Sequence, residues 1–175
     1  MCLMFYINEI PYFYILQQNC NTIVRQYSTT NSNKGSLMKT FLTSNSEITL
    51  DDSIFLVAGI NKEGLITFVN EDLCETSGYS VDELIGKPFN TLSHGDMPKS
   101  ILEDIAQDII NEKQWQGFIK CKTKDSFYYW TFSMIVPVKG DANHNFLCFS
   151  VKPTDDEIKK ALSLHEKLNL LAELE

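Results

Sequence analysis

The sequence predicts an α/β fold of the α+β type: a five-stranded antiparallel sheet with helices on one face, followed by a C-terminal helix. Two apolar runs joined by a short turn come first, in residues 53–70. Three longer runs rich in strand-forming residues lie together in 115–152. Helix-start signals stand between these two groups and again after the second. Strands this close in sequence usually pair as antiparallel neighbours, which favours a sheet of this kind.

The first two strands form a predicted hairpin. SIFLVAGI (53–60) is a continuous apolar run typical of a buried strand, and LITFVN (65–70) is its partner. NKEG (61–64) lies between them as the turn. Gly64 suits a turn position with a positive φ, because glycine has no Cβ to clash there.

A short helix is predicted over 81–85. Ser80 is its N-cap and Glu83, three residues later, completes a capping box. Gly86 ends it. This helix is little more than one turn.

A longer helix is predicted over 98–111, because Pro98 suits the first helical position. Apolar residues recur on one face of it, at Ile101, Leu102, Ile105 and Ile109. We expect this face to pack on the sheet.

Three strands follow, at 115–124, 127–138 and 146–152. In the first, lysines alternate with less polar residues, so one face meets solvent and the other meets the core. The middle strand carries large side chains on one side, at Tyr128, Trp130, Phe132, Met134 and Val136.

The C-terminal helix is predicted over 154–174. Thr154 and Glu157 form a second capping box at its start. Apolar residues then recur at heptad-like spacing, at Ala161, Leu164, Leu168 and Leu171. This spacing is compatible both with a helix that folds back on the domain and with a short coiled coil.

The chain divides into three predicted parts: an N-terminal extension over 1–44, a domain over 45–153 and the C-terminal helix over 154–175. The extension is either a flexible segment or an artefact of start-codon assignment, with Met38 as the true start. Its apolar stretch at 1–16 is interrupted by polar residues and proline and falls short of the roughly 20 residues that span a bilayer. We therefore predict neither a signal peptide nor a membrane span.

Charge and cysteine content restrict the partners and the compartment. The formal net charge is −8, from 15 basic and 23 acidic residues, and no run of Lys or Arg is present. This argues against nucleic acid and anionic membranes as partners. The five cysteines are scattered without a Cys-x-x-Cys pair, as expected for free thiols in a cytoplasmic protein.

No motif points to an enzyme. The sequence has no G-x-S-x-G, P-loop or H-E-x-x-H motif, and the three histidines share no metal-ligand spacing. We therefore predict a non-catalytic module without a metal site.

Several short motifs identify a family. They are Asn70, Ser77-Gly78-Tyr79-Ser80, Glu83 to Pro88, Asn90, His94-Gly95-Asp96-Met97-Pro98, Trp115-Gln116-Gly117, Lys120 and Tyr129-Trp130. In this order they resemble the PAS domain family, and within it the aerotaxis-receptor-like subgroup, over about residues 45–168. The resemblance implies the PAS fold with a C-terminal output helix.

The resemblance also implies a function. Members of the subgroup bind FAD non-covalently and report redox state or oxygen to chemotaxis or cyclic-dinucleotide signalling machinery. His94 and Asp96 match positions that hold the flavin there. By this resemblance we expect a small-molecule ligand or flavin, a downstream signalling protein and possible homodimerisation.

Six residues are predicted to border the ligand pocket: Asn90, His94, Asp96, Trp115, Cys121 and Trp130. The aromatic residues could stack on a planar ligand, although aromatic residues on strands are more often plain core. His94 has an alternative interpretation as a loop residue, with Asp96 capping the following helix.

The sequence departs from the subgroup at flavin-contact positions. Ser93 and Gly95 stand where the family has Arg and Pro, and Cys121 replaces an Asn. Ala106 stands where the family has a helix Trp. These departures favour an alternative function, a cofactor-free PAS module for protein–protein interaction or dimerisation. Phe89 stands where light-sensing PAS domains carry their reactive cysteine, which excludes thiol-adduct photochemistry.

Overall fold

A computed structural model of the chain describes residues 46–139 and 145–174. The predicted N-terminal extension, with Met38, and the loop residues 140–144 lie outside the described residues. The predicted division into three parts therefore stays a prediction.

The five predicted strands are present and form one antiparallel sheet. They are β1 (Leu56–Ile60), β2 (Ile66–Val69), β3 (Trp115–Lys122), β4 (Tyr128–Pro137) and β5 (Phe146–Val151). Their order in the sheet is β2-β1-β5-β4-β3, and every neighbouring pair is antiparallel. The predicted fold class is confirmed. Gly64 has a φ of 76°, as its turn position requires.

Within residues 46–139 and 145–174, four α-helices and one 3₁₀ helix accompany the strands, and the last of them follows β5. They are α1 (Glu71–Ser77), α2 (Val81–Leu84), the 3₁₀ helix (Phe89–Leu92), α3 (Lys99–Ile110) and α4 (Asp155–Ala172). The predicted bounds of α2, α3 and α4 are correct to within two residues. Both predicted capping boxes are present, at the starts of α2 and α4.

Helix α1 was not predicted, although its start signal is in the sequence. The Asn70 side-chain oxygen accepts hydrogen bonds from the backbone N–H of Leu73, at 3.2 Å, and of Val57, at 3.0 Å. Its amide nitrogen donates to the Phe55 carbonyl at 2.7 Å. Asn70 therefore caps α1 and ties it to β1, which explains its place in the family motif.

The two faces of the sheet have different partners. The inner face, with Ile119, Tyr129 and Ile135, joins the core that α1 and α3 cover. The next residues along each strand point to the outer face, since side chains alternate along a strand. Trp130 is on the outer face and its ring lies 5.2 Å, between centroids, from the ring of His165 in α4.

Helix α4 docks on the outer face, as in the first of the two interpretations that the heptad-like spacing allows. Its buried residues are Ala161 and His165, whereas Leu164 and Leu171 are 49% and 60% exposed. His165 packs its ring against Trp130, and Ala161 lies one turn earlier on the same side of the helix. Of the heptad-like series, Ala161 is therefore buried, while Leu164 and Leu171 lie outside the docked face.

None of the helices in residues 46–139 and 145–174 combines the length and the apolar character needed to cross a bilayer.

Candidate functional site

A small cavity, here called the core cavity, lies between the inner face of the sheet and the segments that cover it. Its volume is about 20 Å³. Its polar wall comes from three neighbouring strands, with Cys121, Tyr129, Thr131, Ser133, Cys148 and Ser150. The space exceeds the ~10–15 Å³ that one water molecule needs, but a typical ligand pocket has about 300–1,000 Å³.

Three hydroxyl groups in this wall form a chain of hydrogen bonds, here called the hydroxyl ladder (Thr131, Ser133 and Ser150). The Thr131 and Ser133 oxygens are 2.9 Å apart, and the Ser133 and Ser150 oxygens are 2.7 Å apart. The Thr131 hydroxyl also donates to the Ile119 carbonyl at 3.3 Å. Burial of these groups is tolerated because each has partners.

The other polar groups of the cavity are neutral. Burial raises the pKa of the Cys121 thiol and of the Cys148 thiol to about 12 each. Burial also raises the pKa of the Tyr129 hydroxyl well above its ordinary value. The Tyr129 ring is fully buried, and its hydroxyl has no hydrogen-bond partner among the described residues. The cavity is thus lined entirely by uncharged groups.

A second polar site, here called the β3-edge cluster, consists of His94, Asp96, Lys120, Tyr128 and Asn169. The His94 backbone N–H donates to the Lys120 carbonyl at 2.8 Å. An isolated antiparallel bridge joins the preceding residue, Ser93, to Cys121. The segment before α3 therefore lies along the outer edge of β3, which protects this edge strand from other pairings.

Lys120 is the centre of this cluster. Its Nζ donates to the Asp96 Oδ2 at 2.6 Å and lies 4.1 Å from the centroid of the Tyr128 ring. The Lys120 side chain is only 11% exposed. Its hydrogen bond lowers the pKa of the Asp96 carboxyl below the ordinary value. The Asp96 carboxylate and the face of the Tyr128 ring are both favourable partners for this enclosed ammonium group.

The His94 ring lies between Asp96 and Tyr128, with its Nδ1 3.3 Å from the Asp96 Oδ2. Its Nδ1 accepts a hydrogen bond from the Asp96 backbone N–H at 3.2 Å, and its ring lies edge-on to Tyr128 with centroids 5.6 Å apart. Burial and the nearby Lys120 charge lower the pKa of His94. An Nδ1 that accepts places the proton of the neutral ring on Nε2.

Helix α4 joins the same cluster. The Asn169 Nδ2 donates to the Asp96 carbonyl at 3.0 Å. One turn earlier, burial and the Lys120 charge lower the pKa of His165 to about 4. Lys120 and Asp96 thus connect the segment before α3 to the C-terminal helix.

A surface groove, here called the α3 groove, lies between α3, the β1–β2 turn and the 3₁₀ helix. Its volume is about 230 Å³. Ala106 lines it at the position where the resemblance expects a Trp, and Asn90 lies on its opposite wall. Lys62 also lines the groove and pairs with Glu112 at 2.6 Å.

The structure does not bring the six predicted site residues into one pocket. Cys121 lines the core cavity and Asn90 lines the α3 groove. His94 and Asp96 belong to the β3-edge cluster. Their predicted role in cofactor binding stays a prediction.

The two tryptophans lie apart from each other. Trp115 packs against the core on the inner face, and its ring lies over Gly117. Trp130 is on the outer face against His165, on the far side of the sheet from the core cavity. The sheet itself therefore separates Trp130 from any ligand in the core cavity.

The alternative role of Asp96 as a helix cap is wrong. The N-cap of α3 is Pro98, with no side-chain cap. The Asp96 carboxylate is instead held by Lys120.

Sequence analysis missed the hydroxyl ladder, His165 and Asn169, and it named Tyr129 only as part of the family motif. A signal for the ladder exists: Tyr129, Thr131 and Ser133 alternate with the large apolar residues of β4, so they share the opposite face. The described residues hold no group of three or more His, Cys, Asp or Glu side chains that could bind a metal ion.

Comparison with known proteins gives matches from one family. The PAS domain family matches residues 51–151. The aerotaxis receptor of Escherichia coli (strain K12) is 29% identical over 121 residues, which cover 69% of this chain and 24% of the receptor. The nitrogen fixation regulatory protein of Klebsiella pneumoniae is 26% identical over 82 residues, 45% of this chain and 17% of that protein. The chain therefore spans no more than about a quarter of these relatives.

The fold matches solved PAS domains as well. The PAS domain of a protein from Colwellia psychrerythraea is 25% identical with a TM-score of 0.50, and the match covers 58% of this chain and 87% of that one.

Proposed function

Since this chain belongs to the PAS domain family, we propose that it is a non-catalytic sensory module of cytoplasmic signal transduction. In this proposal, a change at the segment before α3 alters the packing of α4, and α4 passes the change to a downstream signalling protein. The similarity to the aerotaxis receptor and to the nitrogen fixation regulatory protein supports a role of this class.

The observation that carries the proposal is that Asp96 binds both the sheet and α4. Its carboxylate pairs with Lys120 on the sheet, and its carbonyl accepts from Asn169 on α4. Ser93, three residues earlier, lines both the core cavity and the α3 groove. A molecule that displaces Ser93 would therefore strain the contact that holds α4.

Such a molecule shifts the packing of α4 only if it binds one arrangement better than the other. The route from ligand to helix needs two packings of α4 that differ by a few kcal/mol. The β3-edge cluster is suited to this, because it consists of a few polar contacts at the end of the helix rather than an extended apolar interface.

FAD is the ligand that the resemblance implies, but the described core does not fit it. The core cavity has a volume of about 20 Å³, and a typical ligand pocket has about 300–1,000 Å³. The α3 groove is larger, at about 230 Å³, yet it is an open surface feature. We therefore do not assign FAD to the core cavity, and no step of the proposal depends on it.

The second candidate function is a cofactor-free module for protein–protein interaction or dimerisation. It is favoured by the exposed leucines of α4, at Leu162, Leu164, Leu170 and Leu171. Of these, Leu164 and Leu171 are seven residues apart and therefore lie on the same side of α4, where they form a small exposed apolar strip that a partner could cover.

The absorbance spectrum of the purified chain, before and after addition of FAD, separates the ligand hypotheses. The near-ultraviolet and blue bands of an oxidised flavin, bleached by dithionite, would establish a flavin sensor. An unchanged spectrum, together with sedimentation that depends on protein concentration, would favour the assembly module.

The variant Lys120→Met tests the proposed route from the segment before α3, through Asp96 and Lys120, to α4. It removes the Asp96 partner without touching the Asn169 side chain, so we expect the α4 amides near Asn169 to exchange faster. The expected rise is about three- to tenfold, the equivalent of roughly 1 kcal/mol. The measurement is hydrogen–deuterium exchange of the full chain.

The matched control is Lys122→Met, two residues further along the same face of β3. It should leave α4 exchange unchanged. Equal exchange in the wild type and in Lys120→Met would contradict the proposed route.

A further inference from the structure

The core cavity contains a polar group that the fold does not satisfy. Tyr129 is fully buried on the inner face of β4, and its hydroxyl has no hydrogen-bond partner among the described residues. Tyr129 is also part of the cavity wall. The Cys121 thiol is near this hydroxyl, but a sulfur atom is a weak acceptor and recovers little of the hydrogen bonding to water that the hydroxyl loses on folding.

The hydroxyl ladder on the same wall offers acceptors and no donors. The Thr131 hydrogen goes to the Ile119 carbonyl, so the bond between Thr131 and Ser133 must use the Ser133 hydrogen. The bond between Ser133 and Ser150 must then use the Ser150 hydrogen. All three hydrogens are committed, while each hydroxyl oxygen has two lone pairs.

The thiols near the two ends of the ladder can act as donors to it as well. The Cys121 sulfur lies 3.8 Å from the Thr131 hydroxyl, and the Cys148 sulfur lies 3.6 Å from the Ser150 hydroxyl. Both sulfurs can donate weakly to oxygens whose own hydrogens are committed. The ladder still has unused acceptor capacity at Ser133, which faces the cavity.

The size and charge of the cavity restrict its occupant. A volume of about 20 Å³ admits a molecule of one or two heavy atoms. No charged side chain lines the cavity, and an ion would be desolvated there without compensation. An occupant must therefore be uncharged, and it must be able to accept one hydrogen bond and donate another.

We propose that the core cavity is a binding site for a single water molecule, which accepts a hydrogen bond from the Tyr129 hydroxyl and donates to the hydroxyl ladder. Water alone among abundant molecules of this size offers two donors and two acceptors. The site differs from the α3 groove and the β3-edge cluster, and it does not depend on the proposed sensory function.

Two measurements on the full chain test this site. Magnetisation transfer from a long-lived water to protons of Thr131 and Ser133, recorded by nuclear magnetic resonance, detects the molecule directly. The variant Tyr129→Phe tests whether the Tyr129 hydroxyl binds this water molecule. If the hydroxyl binds water, its loss should lower the folding equilibrium constant by about three- to tenfold. If the hydroxyl is unsatisfied, its loss should raise that constant.

Tyr128→Phe is the matched control, because it makes the same chemical change on the neighbouring residue and on the other face of the sheet. A bound water together with a destabilised Tyr129→Phe variant is the expected result. Absence of a long-lived water signal, or a Tyr129→Phe variant more stable than the wild type, would each overturn the proposal.

Discussion

Gly117 shows how a single residue determines the position of an aromatic ring. A Cβ at this position would lie 2.8 Å from the Trp115 ring, closer than such atoms approach in proteins. Trp115 precedes it by two residues, so both residues point to the inner face of β3. The Trp-x-Gly motif therefore has a steric origin, in which the missing side chain makes room for the indole.

We expect Gly117→Ala to displace the Trp115 ring and to lower the free energy of unfolding by about 1–3 kcal/mol, since overpacking a core costs that much. Urea unfolding gives the free energy, and near-ultraviolet circular dichroism reports the displaced indole. Gly95→Ala is the control, because a Cβ there would meet nothing within 4 Å. An unchanged Gly117→Ala variant would refute the steric explanation.

Asp96 shows what local sequence could and could not predict about a site residue. The proximity of Asp96 to His94 was predictable, because the two residues belong to one short motif. Its partners were not, since Lys120 and Asn169 are 24 and 73 residues away. They reach Asp96 only because the segment before α3 lies along the edge of β3, which is a tertiary arrangement.

At the scale of elements, α4 is defined by local signals at its start and by tertiary packing along its length. The capping box at Thr154 and Glu157 was predicted and is present. Of its two buried residues, the periodic apolar pattern contains Ala161 but not His165, because a histidine is not part of a hydrophobic pattern. His165 is buried because its ring packs against Trp130 on the outer face of the sheet.

His165 should make the docking of α4 depend on pH. Burial and the Lys120 charge lower its pKa from 6.5 to about 4 in the folded protein. Between these values the unfolded chain binds more protons than the folded one, so stability falls as the pH decreases from about 6.5 towards 4. The full effect is up to about 3 kcal/mol.

The variant His165→Phe keeps a ring against Trp130 but does not titrate. Urea unfolding at a series of pH values should show that the free energy of unfolding falls less for this variant than for the wild type as the pH decreases from about 6.5 towards 4. His94, whose pKa is also lowered, is present in both proteins and cancels in the comparison. Identical pH profiles would mean that His165 is accessible to solvent and does not couple to docking.

At the scale of the whole molecule, the fold was more predictable than the site. The strands, the capping boxes and the turn glycine each follow from local physical chemistry. The choice of which side of β4 faces the core cavity does not follow from local signals. Trp130 was expected to border a ligand pocket, yet it faces α4, and the cavity lies on the side of Tyr129, Thr131 and Ser133. Only the packing of α4 on the outer face distinguishes the two sides.

The connection between the sheet, the segment before α3 and α4 can be measured as a coupling free energy. Lys120 and Asn169 bind the same residue, Asp96, through different atoms. If Asp96 joins Lys120 and Asn169 into one unit, removing either partner loosens the position of Asp96. Removing the other partner then lowers the free energy of unfolding by a smaller amount. We therefore expect Lys120→Met and Asn169→Ala to be non-additive, with a coupling of about 0.5–3 kcal/mol in urea unfolding.

The control cycle combines Asn169→Ala with Lys62→Met, which breaks a separate ion pair with Glu112. Those two changes should add to within about 0.5 kcal/mol, because they share no partner. Additivity in the Lys120 and Asn169 cycle as well would mean that α4 and the segment before α3 are held independently. A displacement at Ser93 would then have no path to the C-terminal helix through Asp96, and the sensory route would have to run through the sheet and the contact between Trp130 and His165 instead.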